Sequence, residues 1–310
     1  MSLKNASASW LAKLTRLRPA QGRHLNSGLA PHKPLLLLSL LDLADTTALP
    51  GVLARSASLV LRFRAYGALV AERWPTRLDL RLPFFHLKTQ GFWKAFDSDH
   101  RPATTPETCT SIGLDPEFHS VLADPSYRLD ARLVLTKAYF TPPERIALLE
   151  AMGLRDRSTI EERSEQVTSA AIDNAKRKGR SASFQIGVVD GNHHTCALTG
   201  YRCLTEDGAT AVDAAHIEAW ANTQNDDLGN GLALSKTAHW MFDEGLWSIT
   251  DDLHVVINPS RFLENGPRDL YLASFANKPL RFDSATRLRP SAIHLRHHRE
   301  KHGFELYRLL

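Results

Sequence analysis

Residues 210–259 constrain the fold most tightly, because they change character in a fixed order. "TAVDAAHI" reads as a strand. "EAWANTQNDDLGN", rich in Asn and Asp, reads as a loop. "SKTAHWMFDEGL" reads as a helix that Ser235 can cap and Gly245 can end. "LWSITDDLHVVINP" reads as a hairpin turning at Asp251 and Asp252. The order is strand, loop, helix and further strand.

Four polar side chains stand out in that frame: His216, Asn230, His239 and Asp243. His239 and Asp243 are four apart on the predicted helix, which stacks them on one face. An imidazole and a carboxylate presented this way can hold a divalent cation, with magnesium, manganese and zinc all compatible. His216 falls at the end of the strand, where an unligated imidazole can take a proton from water near neutral pH. Asn230 can bond backbone groups with its amide and fix where His216 points. Hydrolysis of a phosphodiester needs such parts: a base for the water and positive charge for the phosphate. For His216 alone, the plainer reading is a satisfied core histidine. Trp240, Phe242 and Trp247 read most simply as core.

The rest of the chain bounds the answer more loosely. Its 310 residues suit two domains. No apolar run reaches the roughly 18 residues that span a bilayer, and "PLLLLSLLDLA" (34–44) reads as a buried helix. The start "MSLKNASASWLAKL" lacks a signal-peptide layout, so no membrane partner and a cytoplasmic location are expected. Cys109, Cys196 and Cys203 do not make a disulfide framework or a four-thiolate zinc site, and all three read as structural. A net charge of +4 hints mildly at a polyanionic partner. "RKGR" (177–180) and "HLRHHREKHGF" (294–304) could each face phosphate or be solvated helix. Helices are expected at 9–18, from Pro34, in "SLVLRFRAYGALV", in two pieces over 115–150 ("DPEFHSVLADP" and "RLDARLVLTKAYF"), and from Thr141. "RLDLRLPFFHL" shows apolar alternation interrupted by Pro83. "GFWKAF" reads as a strand of a small hairpin. Residues 156–183 are polar and charge-rich and read as a linker helix between a domain over 1–155 and another over 184–310.

The ordered series "CALTG … DAAHIEAW … NGLALSKTAHWMFDEGLWSI … VVIN" resembles HNH nucleases of the ββα-metal fold, over about residues 184–304. The resemblance implies that His216 is the general base, Asn230 the motif asparagine, His239 the last motif histidine and a metal ligand, and Asp243 a candidate second ligand. Many members carry Asp or His before the base, where this chain has Ala215. Asp213 is a further candidate ligand, although three residues from His216 puts it on the other side of an ideal strand.

"GLAPHKPLLLLSLLDLA" and the later "LRLPFFHLKTQGFW" resemble the sulfur-binding domain of modification-dependent restriction enzymes, over about residues 8–150. That domain is mainly helical and recognises phosphorothioate DNA. A sulfur in place of a phosphate oxygen is larger, more polarisable and less hydrated, so a small apolar pocket can prefer it while cations hold the backbone. The resemblance places His32 and Lys33 on the basic rim and Leu82, Pro83 and His86 at the pocket. Where members often have Tyr before the proline, this chain has Leu82, and His86 is bulkier than the small residue of some members. The plain alternative is that Pro83, Phe84 and Phe85 pack the core. Arg23, His24, Arg62, Arg64 and Arg81 could add salt-dependent DNA affinity.

The expectation is therefore an α+β protein, a mainly helical N-terminal domain followed by a C-terminal ββα-metal (HNH) nuclease domain. It would cut double-stranded, phosphorothioate-modified DNA with a divalent metal, Mg2+ foremost and Mn2+ or Zn2+ as alternatives. A double-strand break would need a homodimer or two binding events. The rivals are an HNH enzyme reading methylated or plain DNA, and a DNA-binding protein whose nuclease site has decayed.

Overall fold

The structure, a computed structural model, describes residues 3–18, 30–74, 78–164, 167–282, 286 and 288–304. The chain divides into two compact units, Met1–Ser183 and Phe184–Leu310. Among the described residues, no helix is long and apolar enough to cross a membrane.

The first unit is mainly helical. It runs α1 (Leu3–Leu14), α2 (His32–Thr46), β1 (Val52–Ala54), α3 (Ala57–Leu69), α4 (Arg81–His86), β2 (Trp93–Phe96), β3 (Ser111–Leu114), α5 (Pro116–Leu122), α6 (Pro125–Tyr139), α7 (Pro142–Ala151), α8 (Arg155–Ser164) and α9 (Ser169–Gly191). Helix α2 is apolar nearly all round, and Pro34 through Leu41 are buried, as such a helix must be. Pro34 sits in the first turn, where its missing N–H has no intrahelical partner to lose. The polar exceptions are paired. Ser39 Oγ donates to Leu35 O (2.8 Å), and Asp42 accepts from Arg62 Nε (2.8 Å). Asp45 accepts from Arg128 and Arg132 of α6. Arg62 is thus a core residue and is not free for DNA, and Arg23 and His24 lie outside the described residues.

Three elements add to the sequence reading. The alternating stretch around Pro83, to which the sequence assigns no element, forms helix α4. Asp79 Oδ1 accepts from Arg81 N (2.9 Å) to start the helix, and Pro83 falls in its first turn, where proline is tolerated. Strand β2 pairs with β3, and β1 completes an antiparallel sheet in the order β1-β3-β2. The polar stretch 156–183 is helical, and it is not bare. Ile172 and Ala175 pack with Ile146 and Ala147 of α7. At Gly179 a Cβ would lie 2.4 Å from Ala147 O, so glycine lets the two helices approach. In "RKGR", Lys178 is tied to Glu72 (2.5 Å).

The second unit takes in the end of α9 and then β4 (Val212–His216), α10 (Trp220–Thr223), β5 (Gly231–Ser235), α11 (Lys236–Asp243), β6 (Trp247–Ile249), β7 (Val255–Ile257) and α12 (Ala292–Lys301). β4 and β5 pair antiparallel with Ala215 opposite Leu232 and His216 opposite Gly231. α11 packs back on them, giving the β–β–α unit, and β6–β7 form the expected hairpin. Ala215, Leu232, Ala233, Leu234, Ala238, Phe242 and Trp247 make its core. Gly245 ends α11 in the left-handed region at φ 66°, as a C-terminal glycine does. Ser235 occupies the N-cap position, but its hydroxyl accepts from Cys196 Sγ (3.7 Å) and does not bond the helix. Cys109 and Cys196 are buried, whereas Cys203 is exposed and supports no core.

Candidate active site

Strand alternation decides which side chains meet. Ala214 and His216 project to one face of β4 and line an open cleft of about 270 Å³ with Trp220, His239, Asp243 and Lys301 among its other walls. Ala215 projects the other way and is fully buried in the core. Asp213 shares that side. Its carboxylate pairs with Lys236 Nζ (2.6 Å) on the surface and is not among the cleft residues. The structure therefore brings together His216, His239 and Asp243, and leaves Asp213 apart. Trp240 also departs from expectation. It is 59% exposed, because it lies next to His239 on α11, while Phe242 turns into the core.

His216 is held on two sides. Its ring stacks on Phe184 (3.9 Å between centroids, 5° between planes). Its Nε2 lies 3.1 Å from Asp226 Oδ1, and Asp226 Oδ2 accepts from Trp220 Nε1 (3.2 Å). Opposite His216, a Cβ at Gly231 would lie 2.3 Å from Val188 and 3.0 Å from Phe184, so only glycine lets this packing close. Asn230, fully buried, makes a backbone staple. Its Oδ1 accepts from Glu218 N (2.8 Å), and its Nδ2 donates to Glu218 O (3.2 Å) and Asn225 O (3.1 Å). This pins the chain just after His216. Phe184, Trp220 and Asp226 escaped the sequence reading, whereas Lys301 belongs to the 294–304 cluster that it named.

His239 Nε2 and Asp243 Oδ2 are 3.4 Å apart, the outcome of their four-residue spacing. Burial pushes the Asp243 carboxyl up, against His239 and Lys301, which pull it down. One imidazole and one carboxylate suit an ion that keeps most of its waters and shares phosphate oxygens, as Mg2+ or Mn2+ does. Among the described residues no group of three His, Cys, Asp or Glu is placed to hold a metal, so a closed structural zinc site does not fit.

Helix α12 builds the far wall, and His294, His297, His298 and Arg299 are each engaged by neighbouring residues. Glu218 binds His294, and also His297 Nδ1 at 3.1 Å. Burial raises the Glu218 carboxyl, but the two histidine bonds outweigh it and hold it low. Arg299 donates to Ile249 O (2.6 Å) and Asp251 (2.5 Å). His298 stacks on Phe242, donates Nε2–H to Phe242 O (3.2 Å) and accepts from Ser248 Oγ (2.8 Å). Lys301 stays exposed at the cleft.

His298 has a measurable consequence. Burial, with the His302 charge second, lowers it from 6.5 to about 3. Burial likewise lowers His302 to about 4. The unfolded chain takes these protons near pH 6.5, and the folded chain does not. The stability is whole above pH 6.5 and is lost as pH falls toward the folded values. At pH 5 His298 alone costs about 2 kcal/mol. Thermal melts in chelator are expected to show the second unit less stable at pH 5 than at pH 7, and a flat profile would contradict this assignment.

In the reader region, Pro83, Phe84 and Phe85 are buried, as the packing reading expects, while Leu82 and His86 stay exposed on α4. Burial lowers the His86 imidazole, and the charges of Lys33 and Lys88 lower it further, so cations stand near it. Lys33 Nζ donates to Arg18 O (2.6 Å). His32 is half-buried, edge-on to Trp74 at 5.5 Å. Arg81 is engaged by Asp79 (2.7 Å).

The chain was compared with known proteins. A family model described as HNH endonuclease matches residues 196–250, which hold the β–β–α unit. Another, described as ScoMcrA-like, DNA sulfur-binding domain, matches residues 69–157. One similar solved structure is the modification dependent TagI restriction endonuclease, 27% identical, over 39% of this chain and 37% of that one, with a TM-score of 0.31. The chain thus spans little more than a third of that relative's length. Another is the sulfur binding domain of SprMcrA complexed with phosphorothioated DNA, 21% identical, over 50% of this chain and 99% of that one, with a TM-score of 0.38. No curated protein matches the chain. With the β–β–α unit and the mainly helical first unit in place, the two family matches identify the chain as one that carries a ScoMcrA-like DNA sulfur-binding domain and an HNH endonuclease domain.

Proposed function

We propose that the chain is a modification-dependent restriction endonuclease that binds phosphorothioate DNA with its first unit and hydrolyses phosphodiester bonds in its second with Mg2+ or Mn2+. The observation that carries the proposal is the meeting of His216, His239 and Asp243 at one cleft, on a β–β–α unit that the HNH family model matches. In this reading His216 takes a proton from the attacking water. His239 and Asp243 would hold the metal. When bound, a divalent ion neutralises charge developing on the phosphate and the leaving oxygen. Asn230 fixes the loop behind the base, and Lys301 offers a cation to the phosphate. Ala215 points into the core, so the residue there says little about the cleft's donors.

Recognition is assigned to Leu82 and His86 on α4, with Pro83 setting the turn beneath them and His32 and Lys33 at the rim. Exposed Leu82 offers apolar contact to sulfur, and Lys33 and Lys88 offer charge to the backbone. One site per chain nicks one strand, so a double-strand break takes a homodimer or two binding events.

The test compares phosphorothioate and plain plasmid in Mg2+, in Mn2+ and in chelator. Faster cleavage of the modified plasmid, lost in chelator, is expected. Equal affinity for phosphorothioate, methylated and plain duplexes would sink the sulfur reading. No nicking in either metal would leave a binding protein only.

A further inference from the structure

We propose that Asp226 is a positioning residue that sets the tautomer of His216. This rests on the reading of His216 as the base, although the first measurement below does not need nuclease activity.

Asp226 is a carboxylate whose side chain is 7% exposed, in the loop between β4 and β5. Its oxygens are divided between two ring N–H groups: Oδ1 at His216 Nε2 (3.1 Å) and Oδ2 at Trp220 Nε1 (3.2 Å). An ionised carboxylate only accepts, and an indole only donates. Trp220 therefore fixes one oxygen as an acceptor, and the other can only take a proton from Nε2. That leaves the lone pair of neutral His216 on Nδ1, which has no hydrogen-bond partner among the described residues. Phe184 stacked on the ring holds its plane. When His216 gains a proton, the same carboxylate faces the imidazolium and stabilises it. Neighbouring Asp227 has a different task. Its Oδ1 accepts from Gly229 N (3.4 Å) to start the 3-10 turn at Leu228–Asn230.

The substitution Asp226→Asn preserves shape but supplies one acceptor where two donors need one each. With the amide oxygen on Trp220, its NH2 group meets Nε2 and selects the Nδ1–H tautomer, whose Nδ1 cannot accept a proton. The experiment is nitrogen NMR of the histidine rings in metal-free full-length protein above the pH of imidazole titration, with His216 assigned by its disappearance in His216→Gln. Wild type is expected to show Nε2–H at His216, and Asp226→Asn to shift population to Nδ1–H. Nicking by Asp226→Asn is expected to fall about 100-fold or more in kcat with KM little changed. A wild-type His216 in the Nδ1–H form overturns the proposal without any variant folding test. So does an unshifted tautomer in the variant, or nicking at the wild-type rate. If wild type itself does not nick, the proposed function fails while the tautomer measurement still decides the role of Asp226.

Discussion

His216→Ala is expected to lower nicking by roughly a thousandfold while leaving DNA affinity unchanged. The loss is large because alanine removes the acceptor for the water's proton and leaves only hydroxide from bulk solvent to attack. A factor of that size is about 4 kcal/mol of transition-state stabilisation. Binding survives because His216 is on the second unit, whereas the positions assigned to DNA recognition are on the first. The fold also tolerates the change: His216 sits at the cleft rim of β4, and alanine leaves the opposite, buried Ala215 side of the strand intact. The measurements are plasmid nicking under saturating Mg2+ and binding to a phosphorothioate duplex. Nicking near the wild-type rate would end the case for His216 as the base. A parallel loss of binding would mean the units do not divide the work as proposed.

The sequence made the site's frame legible because its local signals agree with one another. Alternation, then a turn-rich loop, then a four-residue repeat specify β4 and α11 without tertiary help, while β5 (Gly231–Ser235), a short apolar run between loop and helix, carries no periodicity of its own and has no assignment from the sequence. Of the two N-caps expected, Thr141 holds and Ser235 does not bond its helix. Thr141 and Glu144 form the capping box that starts α7. The failures share a physical cause, in that long-range packing decided them. Nothing in "QNDDLGN" separates Asp226 from Asp227, since only the approach of His216 and Trp220 distinguishes the two carboxylates. Trp240 looks like a core residue until α11 docks and turns Phe242 inward in its place. Helix α4 has no assignment from the sequence, because Pro83 in a first turn is as compatible with helix as with an extended chain. The cluster at residues 294–304 reads as either a phosphate-facing patch or a solvated helix, yet His298 and Arg299 are structural partners of β6 and its turn.

Asn230→Asp is expected to destabilise the second unit by about 3 kcal/mol and to lower nicking about 100-fold. The side chain is fully buried, and its three bonds use a carbonyl on one side and an NH2 group on the other. Aspartate keeps the acceptor for Glu218 N. Its second oxygen, though, faces the carbonyl oxygens of Glu218 and Asn225, which are left without a donor. An ionised group there is a buried anion against two dipoles of the wrong sign. A protonated one restores a single bond and leaves the other carbonyl unsatisfied. Either way residues 217–218 shift, and His216 precedes them directly. A displacement of about 1 Å at a reacting group can cost a hundredfold in rate. Metal affinity is expected to hold, because His239 and Asp243 are carried by α11. Chemical denaturation and metal titration on the same protein separate the alternatives. Wild-type stability would contradict the staple. Wild-type stability with lost nicking would instead put Asn230 in contact with the DNA.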